Sequence, residues 1–296
     1  LIMPIFSTGK PIAFSAAMTH HQDVGGMSPG SVPTNATEIF QEGIRIPPLK
    51  YSDGGVINQT LMKLLKLNVR LPDSFQGDLN AQIAACEIGR RRVSDLASRY
   101  GNEVLMNIFV DLLDRSERMT RHAINDLPDG RYSYHDFLDN DGIDLDKGIR
   151  IEVSVVIERD TVHIDFTGSN DQVRGPFNLM PSGAYAAAYF AVHAMTDPSI
   201  PTNGGCFRPI SLTLPPKSVV NPEEPAPVNA RTATMKRVAG CITSALGKAV
   251  PHRAPADSAG EMLLLAFGGN RNDGTRYVVG ELIASGSGAS EGMDGV

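Results

Sequence analysis

Two adjacent histidines and a nearby aspartate open the stretch of this 296-residue chain best suited to chemistry. His20, His21 and Asp23 stand within four positions of one another, and Gly25 and Gly26 follow directly. Imidazole nitrogens and a carboxylate bind divalent transition metals, and glycines let a backbone fold closely around an ion. A full coordination sphere needs roughly four to six ligands, so others must come from elsewhere. Alternatively, the histidines end a strand and Asp23 caps a turn.

Further polar side chains are candidates for a catalytic cleft. Glu38 and Glu42 would share one face of a helix, where they could act as ligand or base or form a solvated pair. Asp78 stands where the N-cap of a long helix is expected. Asn203 precedes two glycines in a Pro-rich loop, which either lines a cleft or forms a turn.

The hydrophobic periodicity predicts the elements that must position these residues. The predicted fold is α+β, with mixed, mostly antiparallel sheets and packed helices. We expect two parts of one larger domain: residues 1–128, with the metal-site strands and a helical region, and residues 129–296, which are β-rich with two helices. The predicted strands are 2–6, 11–17, 132–138, 149–157, 162–166, 210–214, 262–267 and 277–283, and the predicted helices are 57–67, 78–127 with a break at Gly101, 182–196 and 232–248.

Composition excludes several functional classes. A formal net charge of −6 argues against a nucleic-acid or anionic-membrane binder. No apolar stretch approaches the roughly 20 residues of a membrane span. Three widely spaced cysteines form neither a disulfide framework nor a CxxC metal site, so a reducing cytoplasm is expected. No Walker-type phosphate loop is present, which predicts that this chain does not itself bind ATP.

The motifs, taken in order along the whole chain, resemble those of the hydantoinase B/oxoprolinase family. The stretches that carry the resemblance are His20-His-Gln-Asp-Val-Gly-Gly, Glu42-Gly-Ile-Arg-Ile-Pro-Pro, Gly77-Asp-Leu-Asn-Ala-Gln, Asp165-Phe-Thr-Gly-Ser, Arg174-Gly-Pro-Phe-Asn, Pro201-Thr-Asn-Gly-Gly-Cys-Phe-Arg-Pro, Pro225-Ala-Pro-Val and the closing Gly-Ala…Asp-Gly. Because the family extends beyond both ends of this sequence, the chain is expected to be an internal fragment.

The resemblance implies a B-type subunit of an ATP-dependent cyclic-amide hydrolase that opens hydantoin, 5-oxoproline or lactam rings. It implies an A-type ATPase subunit or domain as partner, which binds ATP and phosphorylates the substrate. It also implies a divalent metal (Mn, Fe or Zn). The family's metal site uses a Thr-His-x-x-Asp segment, which would precede Leu1, and a histidine that matches His20.

The same resemblance ranks the candidate residues. Asp23 and His21 follow His20 as metal candidates, and Glu42, Asp78 and Asn203 are the catalytic or cleft candidates. Two alternatives stay open: an acetone-carboxylase-like α subunit that carboxylates ketones, and a non-catalytic scaffold for the A-type subunit.

Overall fold

A hairpin of two strands begins the chain, as the sequence predicts. In the computed structural model, which describes residues 1–257 and 262–295, β1 (Ile2–Ser7) pairs antiparallel with β2 (Lys10–Ala16). The turn uses positive φ angles at Thr8 (48°) and Gly9 (79°). The hairpin leads the chain directly into the His20–Gly30 loop.

Helices dominate the next hundred residues. After the two-residue strands β3 (Ser52–Asp53) and β4 (Val56–Ile57) come α1 (Gln59–Leu67), α2 (Pro72–Tyr100) and α3 (Asn102–Asn125). Gly101, at φ 84°, separates α2 from α3 where the sequence predicts the break. The expected N-cap role of Asp78 is wrong, because α2 begins six residues earlier. Pro72 fits the first helical position, where no backbone N–H is needed.

A four-stranded sheet follows. Its order is β5–β6–β7–β8, formed by β5 (Gly130–Leu138), β6 (Ile149–Glu158), β7 (Thr161–Asp165) and β8 (Ile210–Thr213). The pairs β5–β6 and β6–β7 are antiparallel, and β7–β8 is parallel. The parallel step needs a crossover, and α4 (Pro181–Met195) lies within it.

The last elements are α5 (Arg231–Ala249) and the two-stranded sheet of β9 (Met262–Asn270) and β10 (Arg276–Ala284). Helix α5 packs on β5, β6 and α4. None of the helices in the described ranges is both long enough and apolar enough to cross a bilayer.

The chain divides into two compact units, each with its own apolar core. Unit 1 is residues 1–31, 43–112 and 266–280, and unit 2 is residues 32–42, 113–265 and 281–296. Unit 1 buries Met62, Leu65, Val69, Phe75 and Leu79 from α1, α2 and their connection. The core of unit 2 contains the inward face of β6, the small residues of α4 and the apolar face of α5. Helices beside mixed sheets confirm the α+β class, while the division at residues 128 and 129 stays a prediction.

Candidate functional site

Asp23 organises the loop that carries the two histidines. Its side chain is fully buried, and both carboxylate oxygens accept two hydrogen bonds each. Oδ1 accepts from the backbone N–H of Gly25 (3.0 Å) and of Arg70 (3.1 Å). Oδ2 accepts from the backbone N–H of Gly30 (3.1 Å) and from Nη1 of Arg70 (2.9 Å). Asp23 therefore stabilises the turn. Its role as a metal ligand stays a prediction, because binding a metal would require Asp23 to give up some of these hydrogen bonds.

Arg70 is the principal partner of this loop. Besides the ion pair with Asp23, its guanidinium donates to the carbonyl oxygens of Gly25 (3.1 Å) and Gly26 (2.6 Å). Both lie 44 or more positions earlier in the sequence, so no local pattern points to the contact. The guanidinium of Arg70 is planar and its N–H donors have fixed directions. Its ion pair with the buried carboxylate of Asp23 therefore restricts both the distance and the orientation of the two groups, and with them the conformation of the loop.

Gly25 is required by close backbone packing. Its φ is 88°, and a Cβ added there would lie 2.6 Å from the carbonyl oxygen of Asn68. Ser31 closes the other end of the loop, since its hydroxyl accepts from Val24 N–H (2.8 Å) and donates to the Gly25 carbonyl (2.7 Å). The loop is thus held by hydrogen bonds between side chains and the main chain.

His21 lies against one face of α2. Its ring packs on Phe75 at a centroid distance of 4.8 Å, and its Nδ1 is 3.7 Å from Oδ2 of Asp78. That Nδ1 is buried and makes no hydrogen bond to any described residue. One helical turn further on, Gln82 Nε2 donates to Thr19 Oγ1 (2.6 Å). Residues 75, 78, 79 and 82 share a helix face, which explains why one helix contacts this whole segment.

His20 points differently from His21. It is exposed, and its imidazole has no hydrogen bond or ion pair within residues 1–257 and 262–295. The structure therefore brings His21 and Asp78 together, places Asp23 in its own hydrogen-bonded turn, and leaves the His20 donor atoms available.

The donor types around His20 and His21 suit a divalent transition metal, but the number of converging donors does not. No group of three histidine, cysteine, aspartate or glutamate side chains among the described residues could hold an ion. The buried Nδ1 of His21 has no hydrogen-bond partner among the described residues, and Oδ2 of Asp78 lies 3.7 Å from it. The described residues therefore do not form a complete metal site by themselves.

Glu42 belongs to unit 2 and is buried, so the expectation of a solvated Glu38–Glu42 pair is wrong for this residue. Its carboxylate accepts from the backbone N–H groups of Val228 (2.9 and 3.0 Å) and Asn229 (2.8 Å) just before α5. Burial raises the pKa of Glu42, and these bonds and the charge of Arg231 only partly oppose it. Glu42 anchors the 32–42 segment within its unit, and a catalytic role stays a prediction.

Asn203 also makes a dense local network in unit 2. Its Nδ2 donates to Ser116 Oγ on α3 (2.7 Å), and its Oδ1 accepts from the N–H of Gly205 (2.8 Å). Gly205 lies so close to α3 that an added Cβ would stand 1.9 Å from the carbonyl oxygen of Leu113. The loop is a tight turn docked on a helix, and the cleft role of Asn203 stays a prediction.

The acidic 139–146 segment is the turn between β5 and β6. Asp141 is buried, and it accepts from the N–H groups of Asp144 (2.7 Å), Ile143 (2.9 Å) and Gly175 (2.9 Å). Burial alone would raise the pKa of Asp141, but these backbone donors outweigh it and hold the pKa below its usual value. This carboxylate stabilises a turn.

Comparison with known proteins places this geometry in a family. The chain is 33% identical to the B subunit of a putative D-/L-hydantoinase from a Pseudomonas species, covering 99% of the chain and 51% of that protein. It is equally 33% identical to the β subunit of the caprolactamase of Pseudomonas jessenii, again over 99% of the chain and 51% of the relative. The chain thus spans about half the length of these curated relatives.

Two solved structures share the fold. The crystal structure of the ATP-dependent caprolactamase of Pseudomonas jessenii superimposes with a TM-score of 0.87 at 30% identity, covering 100% of this chain and 52% of that one. Acetone carboxylase in its nucleotide-free form superimposes with a TM-score of 0.90 at 20% identity, over 100% and 41% of the two chains, and shows the fold alone. The hydantoinase B/oxoprolinase family model matches residues 1–296. The chain belongs to the hydantoinase B/oxoprolinase family.

Proposed function

We propose that this chain forms part of a B-type subunit that opens a cyclic amide after an ATP-dependent partner has activated the ring. The observation that carries the proposal is the match over the entire chain to the ATP-dependent caprolactamase, at 30% identity and a TM-score of 0.87. The related hydantoinase and caprolactamase chains carry names that refer to cyclic amides and to multi-subunit enzymes. We infer an A-type ATPase subunit or domain as the partner.

Ring opening is difficult without activation, because an amide is stabilised by resonance between nitrogen and carbonyl. Phosphorylation of the amide oxygen weakens that resonance and makes the ring carbon more electrophilic. Water then adds to this carbon, the C–N bond breaks as the nitrogen takes up a proton, and a second water hydrolyses the resulting acyl phosphate to a carboxylate and free phosphate. In this proposal the A-type partner binds ATP and supplies the phosphoryl group. The B-type chain supplies the residues that bind the activated ring and handle the proton of the attacking water.

Some residues of this chain are suited to bind the activated ring or to transfer a proton. His20 presents a free, exposed imidazole that can accept a proton or bind an ion. His21 lies 3.7 Å from Asp78, which is longer than a hydrogen bond. A rotation of the partly exposed Asp78 side chain would close that gap and fix the tautomer of His21. We propose His20 as the group in contact with substrate or ion and Asp78 as a positioning residue for His21.

The divalent metal implied by the resemblance belongs to this proposal as well. His20 is the candidate ligand, because Asp23 already makes four hydrogen bonds and His21 faces Asp78. Imidazole suits iron and zinc, and manganese would need carboxylate, carbonyl or water ligands beside the imidazole. The three free, buried cysteines Cys86, Cys206 and Cys241 fit the proposed reducing cytoplasm.

The experiment is to co-express the full-length polypeptide with its A-type partner and to measure phosphate release from ATP over a panel of lactams, hydantoins and ketones. We expect release that depends on a cyclic amide and that is lost in His20→Ala. His122→Ala, which removes an exposed histidine of α3, is the matched control and should retain activity.

Two other results would contradict the proposal. Turnover that requires a ketone and bicarbonate, with no response to any cyclic amide, would indicate a carboxylase. ATP hydrolysis that is the same for His20→Ala and the unmodified protein, with no stoichiometric metal, would indicate a scaffold.

A further inference from the structure

A cavity of about 520 Å³ opens in unit 2, and none of the candidate residues discussed above lines it. Its walls come from α4, α5, the segment 253–257 and the segment 287–290. The volume is in the range of small-molecule sites in proteins. The glycine-rich run at 286–289, for which the proposed function has no use, contributes part of its rim.

Helix α5 has two unlike faces. Val238, Cys241, Ile242 and Ala245 are fully buried in the core of unit 2. The other face presents short or polar residues to the cavity at helical spacing, namely Ala233, Lys236, Gly240, Thr243 and Ser244. A Cβ added at Gly240 would meet no atom within 4 Å, so this face is open rather than packed.

The cavity wall is positively charged in an acidic chain. Lys236, Arg237 and Arg253 line it together with a single carboxylate, Asp257. Arg237 is held by Asp136 (2.6 Å), and Arg253 donates to the carbonyls at the end of α4. No carboxylate in the described ranges lies within ion-pair distance of Lys236. An ammonium group without a partner beside a cavity favours an anionic ligand.

The rim adds hydrogen-bond donors on a fixed backbone. Gly288 packs so closely that a Cβ there would lie 2.1 Å from the carbonyl oxygen of Ala256. The N–H of Ala256 donates to the carbonyl of Ala289 (2.7 Å), which ties the two rim segments together. Ser287 and Ser290 line the cavity beside them. Hydroxyl groups of this kind donate to the oxygens of an anion.

Part of the cavity lining is apolar. Phe190, Ala194 and Met195 of α4 face the same space. We propose that this cavity binds a small molecule that carries an oxyanion, either a carboxylate or a phosphoryl group, next to Lys236 and rests its apolar part on the α4 wall. The proposal does not depend on the proposed hydrolase function.

The test is isothermal titration calorimetry on the full-length polypeptide, with hexanoate as the probe and neutral hexan-1-ol as its uncharged counterpart. We expect saturable hexanoate binding and no hexan-1-ol binding. Lys236→Met removes the charge but keeps an aliphatic side chain, and Gly240→Leu fills the open space. Each should weaken hexanoate binding at least about tenfold, which corresponds to about 1.4 kcal/mol. Lys236→Met does so by removing the charge opposite the carboxylate, and Gly240→Leu by occupying the space that the ligand would fill.

Matched controls separate the cavity from general effects on folding. Lys63→Met removes an exposed lysine, and Gly77→Leu adds a side chain at another helical glycine whose Cβ would meet nothing within 4 Å. Both should bind hexanoate within about twofold of the unmodified protein. Circular dichroism melting of all four variants checks that each is folded.

Competition by inorganic phosphate shows whether the cavity binds phosphoryl groups as well as carboxylates. Displacement of hexanoate by phosphate supports phosphoryl ligands, and failure to displace it supports carboxylates. If neither anion binds, or if Gly240→Leu binds hexanoate as the unmodified protein does, the proposed site is wrong.

Discussion

At the scale of single residues, Asp23 belongs to the motif that predicts a metal site, yet its carboxylate forms hydrogen bonds that stabilise the loop. A carboxylate offers about four lone-pair directions, and Asp23 accepts four hydrogen bonds, two of them from Arg70. Such a group is costly to bury without its partners, because the lost hydration is replaced only by these bonds. The stability of the histidine loop should therefore depend on Arg70.

Arg70→Met should lower the free energy of unfolding by about 3 kcal/mol, because it leaves the Asp23 charge buried without its ion pair. Urea unfolding followed by fluorescence or circular dichroism measures the change. Lys66→Met is the control, since it removes an exposed partner of Asp73 (3.5 Å) and should cost less than about 1 kcal/mol. If the two variants lost the same free energy of unfolding, Arg70 would not be the residue that stabilises the buried carboxylate of Asp23.

Glu42 predicts a pH dependence of stability. Burial raises its pKa in the folded protein above the ordinary value of 4.5, although Val228 and Asn229 oppose the shift. The folded state therefore holds the proton more tightly than the unfolded state, so the contribution of this group is most favourable at low pH. It declines as the pH rises through the unfolded and then the folded pKa.

Glu42→Gln keeps an oxygen acceptor for the two backbone donors but cannot ionise. We expect the unmodified protein to lose stability relative to this variant as the pH is raised from about 4 to about 7, the range in which a raised carboxyl pKa acts, measured by the urea midpoint at each pH. A difference between the two proteins that stays constant over this range would show that Glu42 ionises normally.

At the scale of elements, close backbone contacts decide how loops lie on helices. Gly204 and Gly205 are adjacent, yet an added Cβ would stand 3.8 Å from a Leu113 side-chain atom at the first and 1.9 Å from its carbonyl oxygen at the second. Only Gly205 is therefore required by the docking of the Asn203 loop on α3.

Gly205→Ala should cost about 2 kcal/mol of stability, because the loop must move away from α3. Gly204→Ala should stay within about 0.5 kcal/mol of the unmodified protein. Thermal unfolding of both variants gives the comparison. Similar melting temperatures for the two would mean that the loop does not contact the helix as described.

The strands and helices were predictable where hydrophobic residues recur at a regular spacing in the sequence. In β6 every second residue from Ile149 to Ile157 is buried, and that alternation is visible in the sequence. The start of α2 was not predictable from Asp78, because the helix extends back to Pro72 without a side-chain cap. A proline at the first helical position was the signal that identifies the true start.

At the scale of the whole molecule, the binding of a divalent metal is the main prediction that the structure of this chain leaves untested. The chain spans about half the length of its curated relatives, and its described residues bring no three metal ligands together. If His20 binds the proposed metal, the further ligands must come from outside the described residues.

If the proposed function holds, dialysis of the protein and its A-type partner against a chelator should abolish the turnover of cyclic amides, and manganese, iron or zinc should restore it. A metal titration should show at least about a tenfold weaker affinity for His20→Ala than for His122→Ala, and therefore a lower metal content when metal is limiting, because one ligand is lost. Unchanged metal affinity in His20→Ala would exclude His20 as a ligand.

The sequence by itself determined the family, the α+β class and most strands and helices, because these depend on local periodicity and on motifs that keep their order along the chain. Only the tertiary structure decided what the polar residues do. Arg70 reaches Asp23 across 47 positions, and Glu42 reaches Val228 across 186. Hydrogen bonds over such separations depend on how the chain folds back on itself, and no local pattern encodes them.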